Sequence, residues 1–397
     1  MERAEQLRVI RGLMTHLDND TNVDAGGHRN NPITAYTDPE RAKAEWQTFF
    51  QDYPQLLGLS SELKNPGDFF TSDDLGKPII CTRDEAGQFR AFLNVCRHRG
   101  TIVETERRGS RKIFSCPFHA WGYAPNGDLV AVPKEDHFGN VDKSCNGLVE
   151  LPSAERHGLL FACANPDRPF DIDDLLGELG PELGSWELGA AEHRWDTRYD
   201  TPMNWKLAID TFGETYHFNA LHRDTLAPVL HGNCQMYDTY KRNHRMTLCS
   251  RSIDLLRNLP ESEWHILKAA LPVYYIFPNV QLITGGGGPT LVRVYPCGED
   301  PNNSFSEISF YSHAAMQEAA YFEGQERPGS NTMEERSRGF AEVIQMEDYV
   351  AAASSHRGAL SGAQDHFRFG RNEPALHHYH NTYREALGLS PLELEDA

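Results

Sequence analysis

The chain has 397 residues, of which 39% are hydrophobic and 32 are glycine, enough apolar material for one large domain or two ordinary ones. A formal net charge of −19 weighs against nucleic acid or an anionic membrane as partner, and no stretch approaches the roughly 18 apolar residues of a membrane span. The start, Met1-Glu2-Arg3-Ala4-Glu5-Gln6, has no apolar signal region, and the eight cysteines have no disulfide-scaffold spacing, so a cytoplasmic protein is expected.

In chain order, residues 6–17 have the spacing of a short amphipathic helix, and a polar loop continues to residue 44. Residues 45–165 change character. Short apolar runs at 78–81, 89–95 and 112–114 alternate with Asp, Gly and Asn turns, and Asn126-Gly127 is a tight-turn dipeptide, so a small all-β module is expected. Residues 166–191 are acidic and rich in Pro and Gly, and read as a connector. Beyond Trp195 the pattern is mixed. A helical pattern runs over 205–222, strand-like runs over 272–277, 280–284, 290–295 and 305–312, and further helical patterns over 333–353 and 375–387. Strands and long helices in blocks predict an α+β fold. The run Gly285-Gly286-Gly287-Gly288 lacks a following Lys-Ser/Thr and reads as a turn between strands, not a phosphate loop.

Two constellations carry chemistry. The first is Cys96-Arg97-His98-Arg99-Gly100 and, after seventeen residues beyond His98, Cys116-Pro117-Phe118-His119. Two cysteines and two histidines on paired turns can hold a [2Fe–2S] cluster, thiolates on one iron and imidazoles on the other. A structural zinc site uses the same residue types, but usually as Cys-Cys and His-His pairs. The second is His217 and His222, with four residues between them and close to Glu214. Two histidines with a carboxylate match a facial triad that leaves positions open on Fe(II). On a regular helix these histidines lie about 140° apart, so both reach one ion only if the helix loosens. Taken alone, such a pair is more often a surface or core feature.

The first constellation resembles the Rieske domain of ring-hydroxylating oxygenases, whose signature loops are Cys-x-His-Arg-Gly and Cys-Pro-Phe/Tyr-His. Residues 204–222 resemble the same family's N-W-K…E-N-x-x-(D/E)-x-x-H-x4-H motif, and the likeness runs from about residue 46 to 387, including Ile276-Phe277-Pro278-Asn279. The resemblance implies an all-β Rieske domain over 45–165. It also implies a catalytic domain from 1–44 and 166–397, an antiparallel sheet flanked by helices of the helix-grip type. It implies Cys96, His98, Cys116 and His119 as ligands of a Rieske [2Fe–2S] cluster, and His217 and His222 as ligands of a mononuclear Fe(II). The third iron ligand is placed at Asp348, with Glu347 as second candidate, in an acidic pair ahead of His356-Arg357-Gly358.

Glu214 stands where the family has an acid bridging a Rieske histidine of a neighbouring subunit to an iron-bound histidine. A glutamate there occurs in a subset that includes oxygenases of quaternary amines. The family's Glu-Asn pair is read here as Asp210-Thr211, and Asp210 joins Glu214 as a catalytic candidate. His377, His378 and His380 are assigned to a C-terminal helix. Nothing resembles a flavin or nicotinamide site, so the resemblance implies a separate NAD(P)H-dependent reductase, with or without a ferredoxin, and a trimer, α3 or α3β3. Residues 226–240 and 274–282 are candidate walls of a substrate cavity. The expected reaction is O2-dependent mono- or cis-dihydroxylation of an aromatic or other apolar compound. The alternatives are demethylation or oxidation of a quaternary amine and, more distantly, electron transfer without oxygenation.

Overall fold

The structure is a computed structural model that describes residues 1–322, 325 and 329–396. The chain divides into two compact units, one of residues 47–175 with 187–190, the other of 1–46, 176–186 and 191–397.

The first unit is built of short antiparallel strands. A five-stranded sheet has the order Glu150–Leu151, Phe89–Leu93, Ile79–Arg83, Asp68–Ser72, Arg108–Ser110. The strand Ile79–Arg83 is buried throughout, as its unbroken run Ile-Ile-Cys-Thr requires at the centre of a sheet. Two three-stranded sheets complete the unit. One of them, Phe114–Ser115, Gly122–Tyr123 and Leu129–Ala131, has the Cys116–Ala120 turn between its first two strands. Asn126-Gly127 closes its last hairpin. Gly127 has φ +86° and its N–H donates to Ala124 O at 2.8 Å, and a Cβ there would sit 2.4 Å from the Phe92 ring. Cys96 and Cys116 belong to one apolar core with Phe69, Phe92, Phe114 and Tyr123.

The second unit is organised around a seven-stranded antiparallel sheet. Its order is Glu192–Thr201, Ser304–Ser312, Gly288–Pro296, Val280–Gly285, Ala270–Ile276, Asn243–Ser250, Leu230–Tyr240. The four strands expected over 272–312 are present. Glu192–Thr201 was hidden by its composition, Glu-His-Arg-Trp-Asp-Thr-Arg-Tyr-Asp-Thr, which reads as polar surface. The N-terminal helix, Arg3–Asn19, buries Val9, Ile10 and Leu13 along one stripe.

Two expectations need correction. Residues 166–191 are more than a connector: they form helices Ile172–Leu176 and Leu179–Gly184 and bury Leu176, Leu179, Leu183 and Trp186. That 3- and 4-residue spacing was masked by the acidic residues around it. Trp186 Nε1 donates to Tyr274 OH at 2.7 Å, tying the segment to the large sheet. The second correction concerns 205–222, where the helix extends only over Trp205–Asp210. Asn204 caps its start by accepting the Lys206 N–H at 3.1 Å, and the helix is anchored by Glu45, which pairs with the Lys206 ammonium and accepts the Trp205 indole N–H. It stops because Thr211, Gly213 and Thr215 are poor helix formers. Gly213 is also pressed by the C-terminal helix Pro374–Ala386. A Cβ at 213 would lie 2.6 Å from Leu376 Cδ2 and 2.8 Å from Tyr379 Cε2. After the break, one 3-10 turn, Tyr216–Asn219, carries His217. Among the described residues no helix is long and apolar enough to cross a membrane.

Candidate metal centres

The two cysteine-histidine turns in the first unit are built alike. Cys96 N–H donates to Thr101 O at 2.8 Å and Gly100 N–H to Cys96 O at 2.9 Å; Cys116 N–H donates to Trp121 O at 2.8 Å and Ala120 N–H to Cys116 O at 2.9 Å. Each turn needs a left-handed residue four places after its cysteine. Gly100 fills it at φ +76°, and Ala120 at φ +57°. The thiols are 3% exposed, whereas His98 is half-buried and His119 faces solvent. The two imidazole rings are 4.7 Å apart, and Trp121 stacks on His98 at 5.0 Å. Tyr123 OH accepts the Arg97 N–H at 2.9 Å and lies 3.3 Å from Cys96 Sγ, where its own hydrogen can be given to a thiolate.

This donor set fits a two-iron cluster. Among the described residues, only His217, His222 and Asp348 bring three metal-ligating atoms within 4.8 Å of one another. Cys96, His98, Cys116 and His119 therefore do not converge on one point, as four ligands about 2.0 to 2.3 Å from a single zinc would. A buried thiol pair and an outward imidazole pair suit two irons, with sulfur on the inner and nitrogen on the outer.

The second centre lies in the catalytic unit. The long helical pattern is real, but it is interrupted: Ser330–Val343 and Tyr349–Leu360 are α-helical, and Ile344–Asp348 between them is a π turn. Such bulges re-aim side chains inside helices. Here the π turn lets consecutive acids grip one imidazole from both sides. Glu347 Oε2 accepts from His222 Nδ1 at 2.7 Å, and Asp348 Oδ1 is 3.2 Å from His222 Nε2. His217 Nε2 lies 3.5 Å from the same Asp348 oxygen, and it is buried without a hydrogen-bond partner among the described residues. Its Nδ1 is held by Glu214, whose other oxygen accepts the His217 N–H at 3.1 Å. Each histidine thus turns Nδ1 toward a carboxylate and Nε2 toward a shared point beside Asp348. That is the arrangement in which carboxylates orient histidines that bind a metal.

Electrostatics agree with a cation at that point. Burial favours neutral His217, but Asp348 and Glu214 outweigh it and push its pKa up to about 9. The His222 pKa is raised against its own burial by Asp348 and Glu347. Without an ion, protons supply the positive charge the carboxylates demand. A carboxylate and two imidazole nitrogens, one of them orphaned, fit a mononuclear iron with open positions.

A cavity of about 50 Å³ adjoins these three residues. Strand register explains its walls. Met246, Val273 and Ile283 are cross-strand neighbours in one row, and Leu248 pairs with Leu271 in the next. Phe212, Phe218, Leu226, Leu230, Phe340 and Ile344 complete the apolar lining. Of the walls expected from sequence, Leu226 and Leu230 are present, but Tyr274 and Leu282 point to the opposite face of the sheet, because side chains alternate. Sequence reasoning missed Met246, Leu248, Phe340 and Ile344. Ile344 had a signal, lying one helical turn before Asp348.

The structure brings Glu214, His217, His222, Glu347 and Asp348 together. Asp210 is elsewhere. It accepts hydrogen bonds from Tyr36 OH at 2.7 Å and from His380 Nε2 at 2.9 Å, and it does not line the cavity, although Thr211 does. His377, His378 and His380 lie on the C-terminal helix, as expected, and form no metal cluster among the described residues. His356 bonds Asn302 Oδ1 at 3.1 Å.

Comparison with known proteins bears on both units. Residues 54–150 match the Rieske [2Fe-2S] domain model, and residues 188–389 match the ring hydroxylating alpha subunit (catalytic domain) model. The large oxygenase component of a naphthalene 1,2-dioxygenase system from Pseudomonas aeruginosa is 33% identical over 200 residues, covering 48% of this chain and 43% of that protein. The oxygenase subunit of a glycine betaine monooxygenase from Chromohalobacter salexigens is 30% identical over 204 residues, covering 51% and 45%. The matched part is thus under half the length of each relative. Among solved structures, the quaternary ammonium Rieske monooxygenase CntA in complex with L-carnitine superimposes with a TM-score of 0.73 at 20% identity, covering 91% of this chain and 96% of that one. Naphthalene 1,2-dioxygenase from Rhodococcus sp. bound to indole gives 0.67 at 20% identity, covering 96% and 97%. At such identities these structures speak to fold.

Proposed function

The chain belongs to the ring-hydroxylating oxygenase alpha-subunit family, and from that premise we propose that it is a terminal oxygenase that hydroxylates an apolar organic substrate with O2 and electrons from a separate reductase. The observation that carries this reading is the lining of the cavity beside His217, His222 and Asp348, which is aliphatic and aromatic apart from Thr211, Glu214 and the ligands. Such a wall expels water and favours an apolar body beside the ligands.

When bound, the iron centres supply single-electron storage at the cluster and O2 activation at the facial triad. The remaining work falls to this chain's side chains. His217, His222 and Asp348 hold the ion, Glu347 fixes the His222 ring through Nδ1, and Glu214 does the same for His217. In our reading Glu214 also links His217 to a cluster histidine of a neighbouring subunit, so that the working assembly is a trimer, α3 or α3β3. Asp210 acts at one remove in this reading. Held by Tyr36 and His380, it fixes the end of the Trp205–Asp210 helix from which the ligand loop departs.

A second reading, oxidation of a quaternary amine, is favoured by the glutamate at 214 and the likeness to CntA. Iron and sulfide quantitation followed by oxygen-uptake screening tests both. Our reading expects a third iron beyond the cluster pair and substrate-dependent uptake with apolar compounds. Uptake only with methylammonium compounds would favour the second reading, and a chain with cluster iron alone would reduce the protein to an electron carrier.

A further inference from the structure

Beside the small cavity lies a larger one of about 590 Å³. Leu271, Ile283 and Phe340 line both and form the neck between them. The chamber differs in chemistry from the cavity it adjoins. Its walls carry the rings of Trp195, Tyr311 and Tyr321 and two guanidinium groups, Arg194 and Arg336. The single lining carboxylate among the described residues is Glu334, and Arg338 pairs with it at 2.7 Å. Arg194 is partly neutralised by Glu192 at 2.9 Å. Arg336 contacts Tyr321 OH at 3.4 Å and has no carboxylate partner among the described residues. Among the described residues the chamber thus has a positive rim, on a chain whose net charge is −19.

The four-glycine run shapes the remaining wall. It forms the hairpin between Val280–Gly285 and Gly288–Pro296. A Cβ at Gly286 would meet Ala320 Cβ at 2.7 Å and one at Gly287 would meet Met333 Cε at 2.6 Å, so the tip sits tightly under two helices. Gly285 is different. A Cβ there meets only Leu271 Cδ1, at an ordinary 3.4 Å, so a side chain at 285 would grow beside the neck.

We infer that the chamber seats the body of a substrate larger than one ring, whose apolar end passes the Gly285–Leu271 neck toward His217, His222 and Asp348, and whose anionic head, such as a carboxylate, rests against Arg336. The volume lies within the range of sites for drug-sized ligands, well above what a betaine fills. A guanidinium without a carboxylate partner attracts an anion and repels a quaternary ammonium. The inference rests on the oxygenase reading only in assigning the occupant as substrate.

The test is anaerobic binding of three fluorescent probes to the iron-loaded protein: 1-pyrenebutyrate, its neutral methyl amide, and a pyrenylbutyl trimethylammonium. The acid is expected to bind about fivefold or more tighter than the amide, with the ammonium weakest. Arg336→Gln should erase the acid-over-amide preference and leave amide binding unchanged, while Arg336→Lys keeps most of it. Gly285→Val should weaken all three. Equal binding of acid and amide, tighter binding of the ammonium, or an unchanged acid-to-amide ratio in Arg336→Gln each overturns the inference. Oxygen uptake with small substrates and no probe binding would sink this inference alone. Probe binding with no uptake for any compound would sink the oxygenase reading and leave the chamber assigned.

Discussion

The two metal centres solve the same problem, holding iron, with opposite architectures. At the cluster site all four proposed ligands come from two short turns of one small β unit, the inner pair sunk in the core and the outer pair near solvent. At the mononuclear site the ligands come from a broken helix and a π turn, 126 residues apart between His222 and Asp348, and His222 is 1% exposed. The first site is set by local backbone geometry; the second exists only after distant segments have packed. Electron transfer to a partner favours exposed ligands, whereas controlled chemistry on O2 favours ligands that water does not reach.

The strongest way to break this comparison is to remove one ligand from each site. Cys96→Ser is expected to abolish the cluster's visible absorption and two of the three irons. His217→Ala is expected to leave that spectrum intact, lose the third iron and abolish turnover. Iron analysis beside the absorption spectrum separates the two, and loss of both centres in either variant would show them to be one cooperative unit.

Orientation comes next. Glu347→Gln keeps the shape of the side chain but weakens its hold on His222 Nδ1, and should lower metal affinity about 10- to 100-fold, read by chelator competition. An unchanged affinity would mean that the π turn alone positions the ring. At the cluster the parallel change is Tyr123→Phe. Loss of the hydroxyl aimed at Cys96 Sγ should shift the reduction potential downward by tens of mV while the cluster stays loaded, measured by redox titration of its absorption.

The smallest expected effect sharpens the electrostatic side. Glu373 begins the C-terminal helix, where burial, with Glu214 and Asp210 nearby, raises its pKa from 4.5 to about 6. Between those values the folded protein binds more protons than the unfolded chain, so this group's contribution to stability falls as pH rises through the window and stays lost above it. Glu373→Gln should therefore stabilise the protein by about 1 to 2 kcal/mol at pH 7.5 and by little at pH 4.5, read as the difference in denaturant midpoints. An equal gain at both values would assign the effect to packing.

How much of this was legible in the amino acids follows the same division. Cys96, His98, Cys116 and His119 were readable because local turns keep sequence neighbours together in space. His217 and His222 were readable as a pair, but the helix expected to carry them was not there, because Gly213 under Leu376 and Tyr379 breaks it. The resemblance placed Asp348 ahead of Glu347, while spacing alone did not separate them. Only the π turn decides that Asp348 faces His222 Nε2 and Glu347 faces Nδ1, and nothing in Ile-Gln-Met-Glu-Asp announces it. The strand Glu192–Thr201 escaped notice because its polar residues gave no apolar alternation, and Met246 and Leu248 because cavity walls depend on register between strands.

The contact of Gly213 with Leu376 and Tyr379 also bears on the order of events at the ribosome. Residues 47–175 carry all four proposed cluster ligands and precede His217, His222 and Asp348 in the chain. The loop bearing His217 must wait for Asp348 and then for the helix Pro374–Ala386, both of which follow it in the chain. Synthesis therefore delivers the cysteine-histidine turns before the residues that complete the wall of the oxygen-handling pocket.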